Sequence, residues 1–492
     1  MRENTSSYNH VLKHTTLFGG VQVMTILANI VRNKVIALFL GAMGMGLNSM
    51  FYSVQTFAAQ CTNLGLSFGA VPHLSENYEH GDEKQIRYSI QVIRLWSMIA
   101  AVLGFLFCLV LSPLLGKYTF TWGHFYRHYA VLGFSVAALA LMGGEMAILK
   151  ATRRLKQLFR IQLYSALGSI IISVPLYYFL YLSGVLLAII LMAFFATVVT
   201  VIYSYRCYPF RKDFSYSMLH DGMDMLRVGL AFVLAAIIGS GSEMLIRSYM
   251  NVEGGLSYVG LFNAAYVIVI TYAGVVFTGL EVDYFPRLSA VSKDIVKTNE
   301  MVNKQMEVSL LLLSPMLVTL LTVMPILVPL LFSKEFLPVV SMAQVAALAM
   351  YFKVLSMPIA YVTLARSYSL SYLLLETSYF VILVAAIVVG FRAWGIWGTG
   401  LAIVIAHVAE LMIVGGYAYW QYHYRCTSAI VCYAMIQMLI GFAAYAVTCL
   451  TDGFLYWIIE AALILISTAY SIHILHQKTS LWEALTRRFK GR

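Results

Sequence analysis

The chain has 492 residues, of which 61% are hydrophobic and only 11% charged, with a formal net charge of +11. A soluble surface carries roughly 25% charged residues, so at a mean hydropathy of +0.80 the apolar side chains must face lipid. This argues against a soluble enzyme or a nucleic-acid-binding domain, and the long continuous apolar runs argue against a β-barrel.

A helix needs about 20 mostly apolar residues to cross a bilayer. Fourteen segments qualify: 16–40, 47–72, 92–116, 126–149, 159–181, 184–204, 223–248, 257–282, 307–332, 338–364, 369–391, 395–420, 428–450 and 454–475. The connections inside 159–204 and 369–420 are so short that twelve spans is the alternative count. With the N-terminus in the cytoplasm, 25 of the 33 Lys and Arg residues fall in inward tails, loops and span ends. Four lie in outward loops (Lys117, Arg127, Lys334, Arg392) and four inside spans. The positive-inside rule gives that asymmetry for an even number of spans with both termini in the cytoplasm. The first apolar stretch is too long for a cleavable signal peptide and lacks a small-residue cleavage site. Six scattered cysteines without C-x-x-C spacing support neither zinc nor a disulfide framework. The tail from Ser480 to Lys490 reads as a basic interfacial helix or as a solvated tail.

The chain also repeats itself. Met45-Gly46-Leu47 opens the second span and Val259-Gly260-Leu261 the eighth, and 26 residues after each glycine comes Pro-x-Leu-Ser: Pro72–Ser75 and Pro286–Ser289. The offset is 214 residues both times, and Ala137–Ala140 resembles Ala346–Ala349 at offset 209. An offset of six helices gives both copies one orientation, related by an axis along the membrane normal. The expected organisation is a six-helix lobe over 1–205, a basic cytoplasmic linker over 206–222, a second six-helix lobe over 223–425, two added helices over 426–475 and a basic tail over 476–492. The expected fold is an all-α polytopic membrane protein of about fourteen transmembrane helices, two pseudo-symmetric lobes plus the added pair, working by alternating access.

Ionisable and polar groups within spans are expensive and therefore functional candidates. Gln22, Thr25, Asn29 and Arg32 share one face of the first span, and Thr56, Gln60, Asn63 and Ser67 one face of the second. These stripes read either as a wet cavity wall or as hydrogen bonds between helices. Lys34 lies off that face, where snorkelling to the interface is the plain reading. Glu243 and Arg247 stand at i, i+4 and can neutralise each other. Lys353 sits mid-span within reach of Glu376 in the next helix. His407 and Glu410, one turn apart, either relay a proton or form a satisfied pair. The substrate-binding candidates are therefore Arg32, Lys34, Arg247, Lys353, Asn29, Gln60 and Asn63. Glu243, Glu376, His407 and Glu410 are candidates for ion coupling or charge pairing. Four cations against three deep acids favour an anionic cargo, because guanidinium bonds phosphate oxygens bidentately. There is no P-loop and no H-E-x-x-H helix, so no catalytic residues, cofactor or metal are expected. Transport is then passive or driven by an H+ or Na+ gradient.

These features together resemble the multidrug/oligosaccharidyl-lipid/polysaccharide exporter superfamily, and within it the Wzx-type O-antigen and polysaccharide repeat-unit flippases. The stretch Arg32–Gly46, with Lys34 ahead of a Gly-rich turn, is similar to their first-span ending. Val259–Phe262 and Tyr284–Ser289 are similar to their eighth span, and Leu331–Phe336 through Lys353 to Glu376 to their tenth and eleventh. The resemblance implies an undecaprenyl-pyrophosphate-linked oligosaccharide (an O-antigen, common-antigen or capsule-type unit) flipped to the periplasmic leaflet of a bacterial inner membrane. It also implies membrane lipids and polysaccharide polymerase or assembly proteins as partners, and no nucleic acid. Many repeat-unit flippases are described with twelve spans and lipid II flippases with fourteen. Lipid II therefore stays open as cargo, as does multidrug export of the type seen in the same superfamily.

Overall fold

The computed structural model describes residues 24–119, 126–210, 215–366, 368–451 and 453–478. Gln22 and the tail from Ser480 lie outside the described residues, as does part of the 206–222 linker. The described residues are helical throughout, with short turns and no strand among them. In chain order the helices are α1 (24–39), α2 (Gly41–Thr62), α3 (Leu66–His80), α4 (Glu83–Thr119), α5 (Tyr126–Ala151), α6 (Leu155–Leu180), α7 (Gly184–Cys207) and α8 (Ser217–Gly254). They continue as α9 (Leu256–Tyr266), α10 (Tyr272–Val291), α11 (Ile295–Leu331), α12 (Val340–Ala365), α13 (Ser369–Tyr422), α14 (Ser428–Leu450) and α15 (Gly453–Lys478).

Every expected span has a helical counterpart. Among the described residues eight helical stretches are long and apolar enough to cross a membrane, and two of these, Leu155–Cys207 and Ser369–Tyr422, run to 53 and 54 residues. At 1.5 Å per residue each is about 80 Å long if straight, far beyond a hydrocarbon core of about 30 Å. Both are folded back instead. The first breaks at Tyr181–Ser183, a single 3-10 turn. The second breaks at Trp394 and Gly395, where Gly395 has φ +61°, a conformation that costs a residue without Cβ nothing. The turn brings the two arms so close that a Cβ on Gly398 would stand 2.0 Å from the Gly390 carbonyl oxygen. The short connections at 181–184 and 392–395 are thus hairpins of two spans each.

One expectation about continuity needs correction. The second span does not run unbroken over 47–72: it ends at Thr62, turns through Leu64 (φ +52°) and Gly65 (φ +80°), and restarts as α3. Ser67 therefore lies in α3, past the turn, and not in the helix that carries Thr56 and Gln60. The eighth span stays helical, with a π-helical turn over Val267–Thr271. The repeat offset would place the α2–α3 break at 277–279, inside α10, so only the first copy interrupts its helix. Several helices also outrun their apolar windows. α4 begins at Glu83, capped by Asp82, whose Oδ1 accepts from Lys84 N at 2.9 Å. α11 begins after Asp294, whose Oδ1 accepts from Val296 N and Lys297 N at 3.0 and 3.2 Å. Those two backbone donors hold the Asp294 carboxyl below the usual carboxylate range. The cap thus stabilises α11 above the ordinary carboxylate pKa, and the benefit fades as pH falls through the lowered value. A polar turn outside the hydrocarbon can remain helical because its open backbone groups are capped or wetted.

By contact density the chain forms two units, Met1–Gly260 with Leu331–Ser333, and Leu261–Leu330 with Lys334–Arg492. In the first, α4 and α5 pack along each other, and α8 lies against α2, α3 and α4. The two repeat glycines meet there. A Cβ on Gly46 would stand 1.9 Å from the Leu256 carbonyl oxygen, and one on Gly260 2.0 Å from that of Ala42. Small residues let helix backbones approach this closely in lipid, where no hydrophobic force drives helices together. In the second unit, α12 and α13 pack closely, and α12 is almost wholly buried along its length. We expect Gly46→Ala and Gly260→Ala each to force the helices apart at a cost of about 1–3 kcal/mol, the usual range for overpacking. Thermal unfolding in detergent should show a lowered midpoint for either, while Ala at Gly274, where a Cβ would meet nothing within 4 Å, should leave it unchanged.

Candidate functional site

Two places gather the polar groups that the sequence singles out, one in each unit. The first is a cavity of about 420 Å³ lined by α1, α2, α5, α6 and α7. Thr25, Asn29 and Arg32 of the first-span stripe all line it, together with Tyr52 and Gln55 of α2 and Gln162, Ser165 and Ser169 of α6. The far wall is apolar, with Met142, Met146, Ile189 and Met192. The stripe is therefore a cavity wall and not a helix–helix seam. Arg32 is the cation of this cavity. Its Nε is buried without a hydrogen-bond partner, as is the Ser165 hydroxyl opposite it in the lining. An orphaned buried donor costs about 1–3 kcal/mol, and more when charged. Two such donors facing one polar cavity suit an anionic or hydroxylated guest.

The residues of α6 escaped the sequence reading, although Gln162, Ser165 and Ser169 follow the same i, i+3, i+7 spacing that marked α1. Gln55 lies one position before the expected α2 stripe. Of that stripe, Gln60 and Asn63 do not line the cavity: Asn63 caps the end of α2, its backbone N–H bonding the Ala59 carbonyl. Lys34 lies half-buried, two residues beyond Arg32 and outside the cavity lining.

Arg247 is differently placed. It is 7% exposed, its Nε donates to Ser49 Oγ at 2.8 Å, and its Nη1 donates to the Glu243 carboxylate at 3.0 Å and carbonyl at 3.1 Å. The expected i, i+4 pairing with Glu243 is present, and a hydroxyl of α2 completes it.

The second place is a charge cluster in the other unit. His407 is buried on α13, with Nδ1 2.7 Å from Glu410 Oε2 and Nε2 3.3 Å from the Tyr379 hydroxyl, whose ring stacks on the imidazole at 5.0 Å. Glu376 is within Coulombic range of both Glu410 and Lys353, and Lys353 of His407. The Lys353 ammonium lies 5.7 Å from the centre of the Phe277 ring, a cation–π distance. Four residues marked from sequence on three separate spans thus converge, and Tyr379 joins them. Nothing in a lone tyrosine within an apolar helix announces that role.

The census of deep acids needs enlarging. Glu145 on α5 is buried against Arg94 of α4 at 2.9 and 3.2 Å and accepts from Ser204 on α7. Glu460 on α15 is wholly buried and accepts from Thr322 of α11 at 2.7 Å. Both lie in expected spans. Counting them, the charged interior is nearly balanced, and the case for an anion rests on the Arg32 cavity and not on an overall cationic excess.

Comparison with known proteins now bears on identity. A family profile described as polysaccharide biosynthesis protein matches residues 46–341, more than half of the chain. The chain belongs to that polysaccharide biosynthesis family. No curated protein matches. Among solved structures, the lipid II flippase MurJ in an inward closed conformation superposes with TM-score 0.67 at 12% identity, over 95% of this chain and 99% of its own. An inward-facing multidrug resistance MATE transporter gives 0.66 at 16% identity, over 82% and 94%. A MOP superfamily transporter from Pyrococcus furiosus, with a binding pocket of reverse polarity, gives 0.61 at 13% identity, over 84% and 96%. This family member therefore has the all-α polytopic transporter fold shared by MurJ and MATE proteins, the multidrug/oligosaccharidyl-lipid/polysaccharide exporter superfamily fold.

The Arg94–Glu145 pair ties α4 to α5 in the first unit. Glu145→Ala leaves a buried guanidinium without its carboxylate and should lower stability by about 3–5 kcal/mol. Arg94→Met with Glu145→Leu should recover most of the loss. Melting curves of the single and double variants in detergent provide the check.

Proposed function

We propose that this protein is a flippase that carries an undecaprenyl-pyrophosphate-linked oligosaccharide from the cytoplasmic to the periplasmic leaflet of a bacterial inner membrane by alternating access. The observation that carries the reading is the Arg32 cavity. It joins a buried guanidinium edge to three amides (Asn29, Gln55, Gln162) and a set of hydroxyls. Such groups suit the phosphate and sugar oxygens of a glycosylated anion, whereas a cationic drug calls for carboxylates or an aromatic cage. The lipid chain stays in the bilayer, where its transfer costs nothing, and only the polar head needs shelter. O-antigen, common-antigen or capsule-type units all have this chemistry, and family membership in polysaccharide biosynthesis agrees with it.

Lipid II is the second reading, favoured by the near-complete coverage of MurJ. Its headgroup has the same pyrophosphate and amide-bearing sugars, so the same cavity would serve.

For coupling, the proposal assigns the His407–Glu410–Tyr379 cluster with Glu376 and Lys353. An imidazole hydrogen-bonded between a carboxylate and a phenol is a ready proton carrier, and a lysine beside two carboxylates changes their charge balance as protons arrive. Arg247 is a positioning residue for α2 in this scheme, and Lys34 an interfacial one.

Deletion of the gene should cause one lipid-linked saccharide to accumulate on the cytoplasmic side, and its composition names the cargo. Complementation of a strain depleted of its lipid II flippase would favour the second reading. Arg32→Ala and Lys353→Ala should each reduce surface polysaccharide while the protein stays in the membrane. The loss of one charge-assisted contact should weaken cargo binding about 10- to 100-fold. Normal polysaccharide in both single variants and the double variant would remove the cargo and coupling assignments. Separately, Glu410→Gln should make transport insensitive to collapse of the proton gradient, measured with an ionophore in cells or vesicles.

A further inference from the structure

A second polar cavity, of about 610 Å³, lies in the first unit, away from the residues marked for cargo. It is built where the polar first turns of α4 meet the end of α3, the α5–α6 turn and the segment after α7. Glu83, Arg87, Ile90 and Arg94 present one face of α4 to it, at spacings of three to four residues. Its floor is Arg94, 3% exposed, clamped to Glu145 and to the Tyr208 and Pro209 carbonyls at 2.8 and 3.3 Å, with its guanidinium 4.5 Å over the Tyr205 ring. These contacts tie three helices and the chain after α7 together, so the walls are held in place before any ligand arrives.

The charges around this pocket do not cancel. Glu145 neutralises Arg94. Glu83 reaches Arg87 at 2.9 Å, but both side chains are more than half exposed, and solvent screens such a pair. Arg154, on the opposite rim, meets no carboxylate among the described residues. Its guanidinium lies 5.7 Å from the Tyr208 ring, and its neighbour Arg153 takes up Glu79. The pocket thus offers one uncompensated guanidinium and one weakly held one across a space lined by Tyr78, Tyr208 and Cys207. A volume of this size falls in the range of organic ligands and exceeds what a bare ion fills. Guanidinium with phenol hydroxyls and rings is the donor set for a phosphate ester.

We propose that this pocket is a site for a phosphate-bearing organic anion, held by Arg154 and Arg87 above the Arg94 floor, and separate from the transport cavity. The phosphate belongs either to the headgroup of an anionic membrane lipid at the mouth of the pocket or to a soluble phosphoester. The assignment is independent of the cargo reading above.

Cys207 in the lining provides the reporter. The full chain in phosphatidylcholine nanodiscs is labelled with N-ethylmaleimide, and modification of Cys207 is followed by peptide mass spectrometry, with exposed Cys426 of the α13–α14 loop as internal reference. One arm adds phosphatidic acid to the disc and the other adds glycerol 3-phosphate to the buffer. Slower labelling of Cys207 alone in either arm supports the site and names the source. In Arg154→Ala the half-protecting concentration should rise about tenfold, the effect of losing one charge-assisted hydrogen bond. Arg87→Gln, at an exposed rim position that folding does not depend on, should raise it by a smaller factor and keeps the test open if the first variant is unstable. No protection in either arm, equal protection by diacylglycerol or glycerol, or protection unchanged in both variants would overturn the assignment.

Discussion

A charge inside a bilayer has no water to solvate it, so each must find protein partners or define a place that something else enters. Most of this protein's interior obeys the first alternative. Arg247 is matched by Glu243 and Ser49, Arg94 by Glu145, and His407 by Glu410 and Tyr379. Glu460, wholly buried, accepts from Thr322 through one oxygen and leaves the other without a partner. Arg32 departs from the pattern: no carboxylate is in contact with it among the described residues, and its Nε is buried facing a cavity without a partner. Arg366 also keeps buried nitrogens, Nε and Nη2, without hydrogen-bond partners, its guanidinium lying 4.7 Å from the centre of the Tyr422 ring. At Arg32 the orphaned edge lines a cavity, so an external anion entering there would supply what is missing.

The helices that hold these groups are shaped by the backbone as much as by side chains. Gly46 and Gly260 let α2 and α9 cross with backbones nearly touching; further on the first copy breaks at Leu64–Gly65, while the second stays helical through a π-helical turn at Val267–Thr271. A broken helix frees backbone groups, tolerated at membrane depth only where protein or a cavity satisfies them. The repeat keeps the glycine and the Pro-x-Leu-Ser end but not the break, so the two copies have similar ends and different middles.

Much of this was legible in the sequence, because hydropathy and charge asymmetry act over 20-residue windows and average out local detail. The helical segments, the short connections of the two hairpins and the α1 stripe follow from such windows. The i, i+4 pairing of Glu243 with Arg247 also follows, since it needs only helical geometry. What could not be read was tertiary in origin. Glu145 finds Arg94 across 51 positions and Glu460 finds Thr322 across 138, and no local pattern links such pairs. The break at Leu64–Gly65 was hidden because Leu and Gly are ordinary within apolar helices, and positive φ at Leu64 is imposed by packing. Tyr379 was missed since its ring suits an apolar helix and only its hydroxyl meets His407. The α6 stripe, by contrast, was readable by the rule applied to α1. It fell inside a hairpin whose helix count was itself open.

The two sites differ in the physics they can perform. Around Arg32 the polar groups are a permanently charged guanidinium, amides and hydroxyls, none of which changes charge near neutral pH. Such a lining recognises an anion equally well whatever the proton supply, which is what a binding site requires. Around His407 the groups are ionisable: an imidazole, two carboxylates, a phenol and an ammonium. A proton arriving there would alter which groups attract and which repel on α12 and α13, whose facing lengths carry Lys353 and Glu376. On the proposed reading, recognition by fixed charge falls in one unit and response by ionisable charge in the other, for a ligand is held steadily only by groups that a driving ion leaves alone.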